Sequence, residues 1–238
     1  MIPNRLIQWL MGLTVLVIAA NLAVKAYHAY IAEVAHIVPL VDTGAERNIP
    51  TAWNAALLLG VAVVAALVAR EQARGPGPRA ALPWSVCALA ALAMTIDESL
   101  ELHERLGPWM HDHLETLALD VPTYAWLVPG SIIAAGGAVS LMLWTRGLPA
   151  DVRSPLRFAV LLYVFGAVVL EGVSGLVKYA DAGTELYVLL NASEEGAEMA
   201  AAIVAIAGAG RMLHRDGSEG AGLRPDGSAA AERAHVAP

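Results

Sequence analysis

Acidic side chains stand inside long apolar runs of this chain: Asp97 and Glu98, Glu171, and the group Glu194, Glu195 and Glu198. An ionised side chain near a bilayer centre costs about 2.5–3.5 kcal/mol on insertion scales, so such residues are rare and usually functional. Together and uncompensated, these acids amount to roughly 10–20 kcal/mol. Several carboxylates crowded into a low dielectric cannot all stay ionised unaided. Bound multivalent cations would neutralise them; protonation with shared hydrogen bonds is the second solution, and a purely structural polar network the third. Basic side chains near enough to help are few, namely Lys25, Arg105 and Lys178.

The elements that must position these acids follow from composition. The chain is 57% hydrophobic and only 16% charged, with a mean hydropathy of +0.57, which excludes an ordinary soluble domain. Six apolar runs, near 6–28, 52–69, 83–103, 124–145, 157–178 and 186–209, are each roughly 17–25 residues and long enough to cross a bilayer as helices. The expectation is an all-α integral membrane bundle of six transmembrane helices over 1–210. The Gly-, Ser-, Ala- and Asp-rich stretch 211–238 is expected to be a disordered cytoplasmic tail. The first run, preceded by Arg5, also has the outline of a cleaved signal peptide, but its length favours a retained span.

Arginine sets the orientation. Arg5, then Arg70, Arg74 and Arg79, then Arg146, Arg153 and Arg157, then Arg211 and Arg215 all fall on one side of the six spans. The positive-inside rule makes that side cytoplasmic, with both termini inside and the protein in the cell (inner) membrane. The single Cys87 excludes an internal disulfide. A net charge of -7 argues against a nucleic-acid partner.

With this topology the acids share one layer in the outer half of the membrane. On a continuous helix Asp97, Glu101 and Glu104 fall on one face with Glu98 at its edge, and Glu194, Glu195 and Glu198 form another polar face. His103 points elsewhere unless the helix loosens before Gly107-Pro108. Glu101, Asn21, Asn54 and Lys178 are second-shell or peripheral candidates. His111, Asp112, His113 and Glu115 form an acidic outer loop. The tryptophans and tyrosines near span ends, including Trp84, Trp126, Tyr124 and Tyr187, suit an aromatic belt. Gly136-Gly137, Gly172 and Gly175 suit close helix approach. The pattern acid-Glu-x-x-Glu occurs at Asp97–Glu101 and at Glu194–Glu198, one in each half of the chain, as an inverted repeat would have it.

Glu from facing helices plus His at helical spacing is how dimetal carboxylate bundles hold their ions, although their Glu-x-x-His pairing is missing here. The string Asp97-Glu98-x4-His103-Glu104-Arg105-Leu106, with Tyr124-Ala-Trp126, Glu171-Gly172 and Glu194-Glu195-x-x-Glu198-Met199, resembles the signature of a group of uncharacterised bacterial multipass membrane proteins. Glu101 is not part of that signature. The resemblance implies that Asp97, Glu98, His103, Glu104, Glu171, Glu194, Glu195 and Glu198 belong to one site, and it names no reaction. The expected cofactor is a divalent metal, mononuclear or dinuclear, with Fe, Mn or Zn as candidates. A metal-dependent membrane enzyme, a hydrolase or oxidase acting on a lipid-like, membrane-accessible substrate, is the leading reading. A divalent-cation or proton-coupled transporter, and a metal-stabilised subunit or sensor, are the alternatives. No catalytic residue is assigned from sequence.

Overall fold

The computed structural model of the chain describes residues 2–116 and 121–222. Among the described residues every regular element is helical: α1 (Asn4–Tyr30), α2 (Val38–Val41), α3 (Ile49–Arg74), α4 (Pro78–Leu100), α5 (Leu102–Thr116), α6 (Leu127–Trp144), α7 (Ala150–Val164), α8 (Glu171–Tyr179) and α9 (Thr184–Gly222). A π-helical turn, Phe165–Leu170, joins α7 to α8. Six helical stretches are long and apolar enough to cross a membrane: Asn4–Tyr30, Ile49–Arg74, Pro78–Leu100, Leu127–Gly147, Ala150–Tyr179 and Thr184–Arg215. These are the six expected spans with shifted ends. The protein is an all-α multipass membrane protein. α9 continues from Arg211 to Gly222, and the rest of the expected tail, 223–238, lies outside the described residues.

Span ends follow local chemistry. Asn48 caps α3 by accepting from the Thr51 N–H at 3.1 Å, and Pro50 follows in the first turn, where its missing N–H costs nothing. Gly77, at φ 109°, lets the chain reverse between α3 and α4, which pack along each other as a hairpin. α9 is the central element and packs on α1, α3 and α7. One core layer gathers Val68, Trp84, Val152, Leu156 and Ala209; a second gathers Leu57, Leu58, Met199, Ala202 and Ile203. α6 lies at the periphery and leaves Ile132, Ile133 and Val139 exposed.

Trp84 is only 2% exposed and packs edge-on against Trp144 with centroids 4.9 Å apart, so it is a core residue and not part of a belt. Gly136 and Gly137 have open space where a side chain would project, so they bring no helix close. Gly166 does that work: a Cβ there would meet Glu198 Cγ at 3.0 Å and the Glu194 carbonyl at 3.2 Å. The π turn and α9 therefore touch through a missing side chain.

The third span departs from expectation in one respect that matters for the site. It does not loosen before Gly107-Pro108, since α5 runs through both residues; it breaks earlier, at Glu101. Glu101 is left-handed (φ 54°) and caps α4, donating its N–H to the Asp97 carbonyl. Its carboxylate pairs with Arg47 at 2.5 Å and 3.2 Å, and Arg47 is itself at φ 59°.

Candidate functional site

At the end of the bundle away from the arginine-rich turns is a cavity of about 510 Å3. Its walls come from the loop before α3, the end of α4, the start of α5, residues 123–126 before α6, the end of α7, the π turn with α8, and the first half of α9. Asp97, Glu98, His103, Glu104, Glu171, Glu194, Glu195 and Glu198 all line it, as does Lys178. Glu101 does not: the break in the helix turns it out to Arg47, so Asp97, Glu101 and Glu104 do not share a face.

The break also brings His103 in. Asp97 accepts from the His103 backbone N–H at 2.9 Å, and its second oxygen lies 2.9 Å from His103 Nδ1. A carboxylate only accepts, so Nδ1 carries the proton, and it is in the neutral form of the ring that Nε2 is left as a lone-pair donor. Burial opposes the charge on His103, yet the hydrogen bond and charge of Asp97 hold its pKa above the usual value. Trp126 packs against the ring with centroids 4.9 Å apart.

His103, Glu104 and Glu46 present ligand-type atoms that all lie within 4.8 Å of one another. Glu46 was missed in the sequence because it sits in a polar loop with no helical register to place it. Its pKa is raised, first by burial and next by the charge of Glu104. Asn21 helps hold this loop from below, donating to Thr43 Oγ1 at 2.9 Å while its own oxygen accepts from the Thr43 N–H at 3.4 Å. Lys25 pairs with Asp42 in the same loop and is therefore not a partner of the deeper acids.

The other carboxylates are held by neutral donors. Asn54 donates to Glu198 at 3.3 Å, and Trp126 Nε1 donates to Glu171 at 3.0 Å. Tyr163, a residue the sequence did not single out, is hydrogen-bonded to Glu198. Tyr124 and Tyr187 share a hydroxyl contact of 3.1 Å and line the cavity, which removes them from the expected belt. Burial, followed by that contact, raises the pKa of Tyr124 above the ordinary phenol value. Among the described residues no Lys or Arg forms an ion pair with Glu98, Glu171, Glu194, Glu195 or Glu198.

His111 lines the cavity and pairs with Glu115 at 3.2 Å, while His113 turns away to the Trp109 carbonyl. The expected loop carrying these residues is helical, as part of α5.

No curated protein and no solved structure matches the chain. A family model described as a domain of unknown function, DUF8692, matches residues 10–213, and the chain belongs to that family.

Proposed function

We propose that the protein is a metal-dependent membrane enzyme whose ion is held by Glu46, His103 and Glu104 at the mouth of the acidic cavity. The observation that carries this reading is the mutual approach of those three ligand groups, with His103 oriented by Asp97. A carboxylate on the far nitrogen is the usual support of a metal-binding imidazole, because it fixes the tautomer and raises basicity. Glu46 and Glu104 repel each other without a cation between them. Mixed oxygen and imidazole donors suit Mn, Fe or Zn. Three protein ligands leave positions for water or substrate, and such an ion polarises a carbonyl or phosphoryl oxygen or activates bound water.

The positive-inside rule puts the arginine-rich end in the cytoplasm, so both termini are inside and the cavity faces the outer leaflet of the cell membrane. Membrane lipids or lipid-like molecules are then the accessible substrates. Asp97 acts as the orienting group and Glu98, Glu171, Glu194, Glu195 and Glu198 form the chamber behind the ion.

Elemental analysis of the detergent-solubilised protein tests the reading, with wild type beside Glu46→Ala and His103→Ala. One equivalent of Fe, Mn or Zn in wild type, lost in both variants, is the expected result. Wild-type protein that stays metal-free after reconstitution, or variants that keep full metal content, would remove it.

A further inference from the structure

The five deep carboxylates are not gathered at the spacing of ligands to a single bare ion. Oxygen ligands contact Mn, Zn, Mg or Ca at about 2.0–2.6 Å, so the ligands of one ion lie within about 5 Å of each other. Among the described residues Glu46, His103 and Glu104 meet that spacing, and Glu98, Glu171, Glu194, Glu195 and Glu198 do not.

Four buried side-chain oxygens have no hydrogen-bond partner: Asn54 Oδ1, Asn191 Oδ1, Glu194 Oε2 and Glu195 Oε2. Asn191 and Glu194 are only 8% and 9% exposed, and both line the cavity. All four atoms are acceptors, and two belong to neutral amides. A buried acceptor left unpaired costs about 1–3 kcal/mol, so the three in this chamber, on Asn191, Glu194 and Glu195, call for a ligand rich in N–H donors. The cavity, at about 510 Å3, is sized for an organic molecule.

The walls are suited to an organic cation as well. Tyr124, Trp126 and Tyr163 line the chamber, and aromatic faces attract ammonium groups. Tyr124 and Tyr187 already hold one ammonium at the rim of this chamber, with Lys178 Nζ 5.4 Å and 5.8 Å from their ring centres.

We propose that the deep chamber binds an organic cation carrying two or more protonated amines, with Glu194, Glu195 and Asn191 accepting from its N–H groups. This goes beyond the reading of the cavity as the working site by naming a ligand for its deep half, and it rests on the cavity rather than on the ion at its mouth.

Isothermal titration of the full-length, detergent-solubilised protein with spermidine and, separately, with Mn2+ tests it, at 150 mM salt to screen surface acids. Wild type is expected to bind spermidine at one site. The double variant Glu194→Gln/Glu195→Gln weakens it at least about tenfold, and Glu71→Gln, an acid paired with Arg74 away from the cavity, changes it less than about twofold. Asn191→Leu, which removes a neutral acceptor, weakens spermidine as well and covers the case of a double variant that does not fold. The proposal is overturned if wild type does not bind spermidine, or if the double variant and Asn191→Leu both bind it like wild type. It is equally overturned if the chamber takes a second Mn2+ that spermidine does not displace. Mn2+ binding that survives Glu46→Gln would sink the metal reading alone, because the spermidine comparison does not use that residue.

Discussion

Asp97 grips His103 twice, accepting from its backbone N–H and from its ring Nδ1, each at 2.9 Å. The two residues lie on different helices, α4 and α5, and meet only because the chain turns at Glu101 between them. Asp97→Asn keeps the volume but offers one acceptor oxygen instead of a charged pair. Outer-shell partners of this kind are worth about 10–100-fold in metal affinity. Mn2+ affinity measured by calorimetry is therefore expected to fall by that range while the helical circular dichroism stays unchanged. Equal affinity would show that His103 needs no orienting group.

The Arg47–Glu101 pair joins the loop bearing Glu46 to the break preceding His103. Arg47 is largely exposed, so solvent screens the pair and Arg47→Gln is expected to change stability by less than about 1 kcal/mol. Its effect on position is another matter, since Glu46 is the neighbouring residue. Metal affinity should drop clearly in a variant whose unfolding midpoint hardly moves. A parallel loss of both would mean that the pair serves the fold alone.

Gly166 is where the π turn meets α9. Gly166→Ala places a methyl group against Glu198 Cγ and the Glu194 carbonyl, and overpacking of this kind costs typically about 1–3 kcal/mol. Thermal unfolding in detergent reads the cost. An unchanged midpoint would show that the two segments separate freely.

Tyr124 supplies a pH dependence. Its folded pKa lies above the unfolded value because burial and the Tyr187 contact favour the neutral phenol. A group raised in this way contributes stability that is fully present below the unfolded pKa, about 10, and is lost as pH rises toward the folded pKa. Stability should decline above about pH 10, and Tyr124→Phe should flatten that decline. A slope identical in both proteins would contradict it.

The membrane spans and most of the cavity acids were legible in the sequence because apolar run length and charge in apolar surroundings are local signals. Asp97, Glu98, Glu171 and the α9 glutamates needed only helix number and direction to fall together. Glu101 misled because a helical wheel assumes an unbroken helix, and nothing in the string around it announces a left-handed residue. That misreading also undoes the inverted-repeat pattern, since Glu198 faces the cavity and its counterpart Glu101 does not. Glu46 escaped notice because it sits in a polar loop with no helical register, and the ion pair that ties its neighbour Arg47 to the site spans 54 positions. Trp126 and Tyr124 looked like interfacial aromatics because end-of-span position is the same for a belt and for a cavity rim.

The π turn at Phe165–Leu170 holds one residue more than an α-helix would spend on the same advance. If the same residues took up regular α geometry with none removed, the extra residue would have to be accommodated as rotation. Everything after it would then swing by about 100° around the axis. Glu171 and Lys178 would turn off the cavity together, while hydrophobicity, span length and membrane insertion stayed the same. The turn thus sets the angular register of one wall of the site: an unbroken α-helix of the same sequence would insert normally and present another face to the cavity.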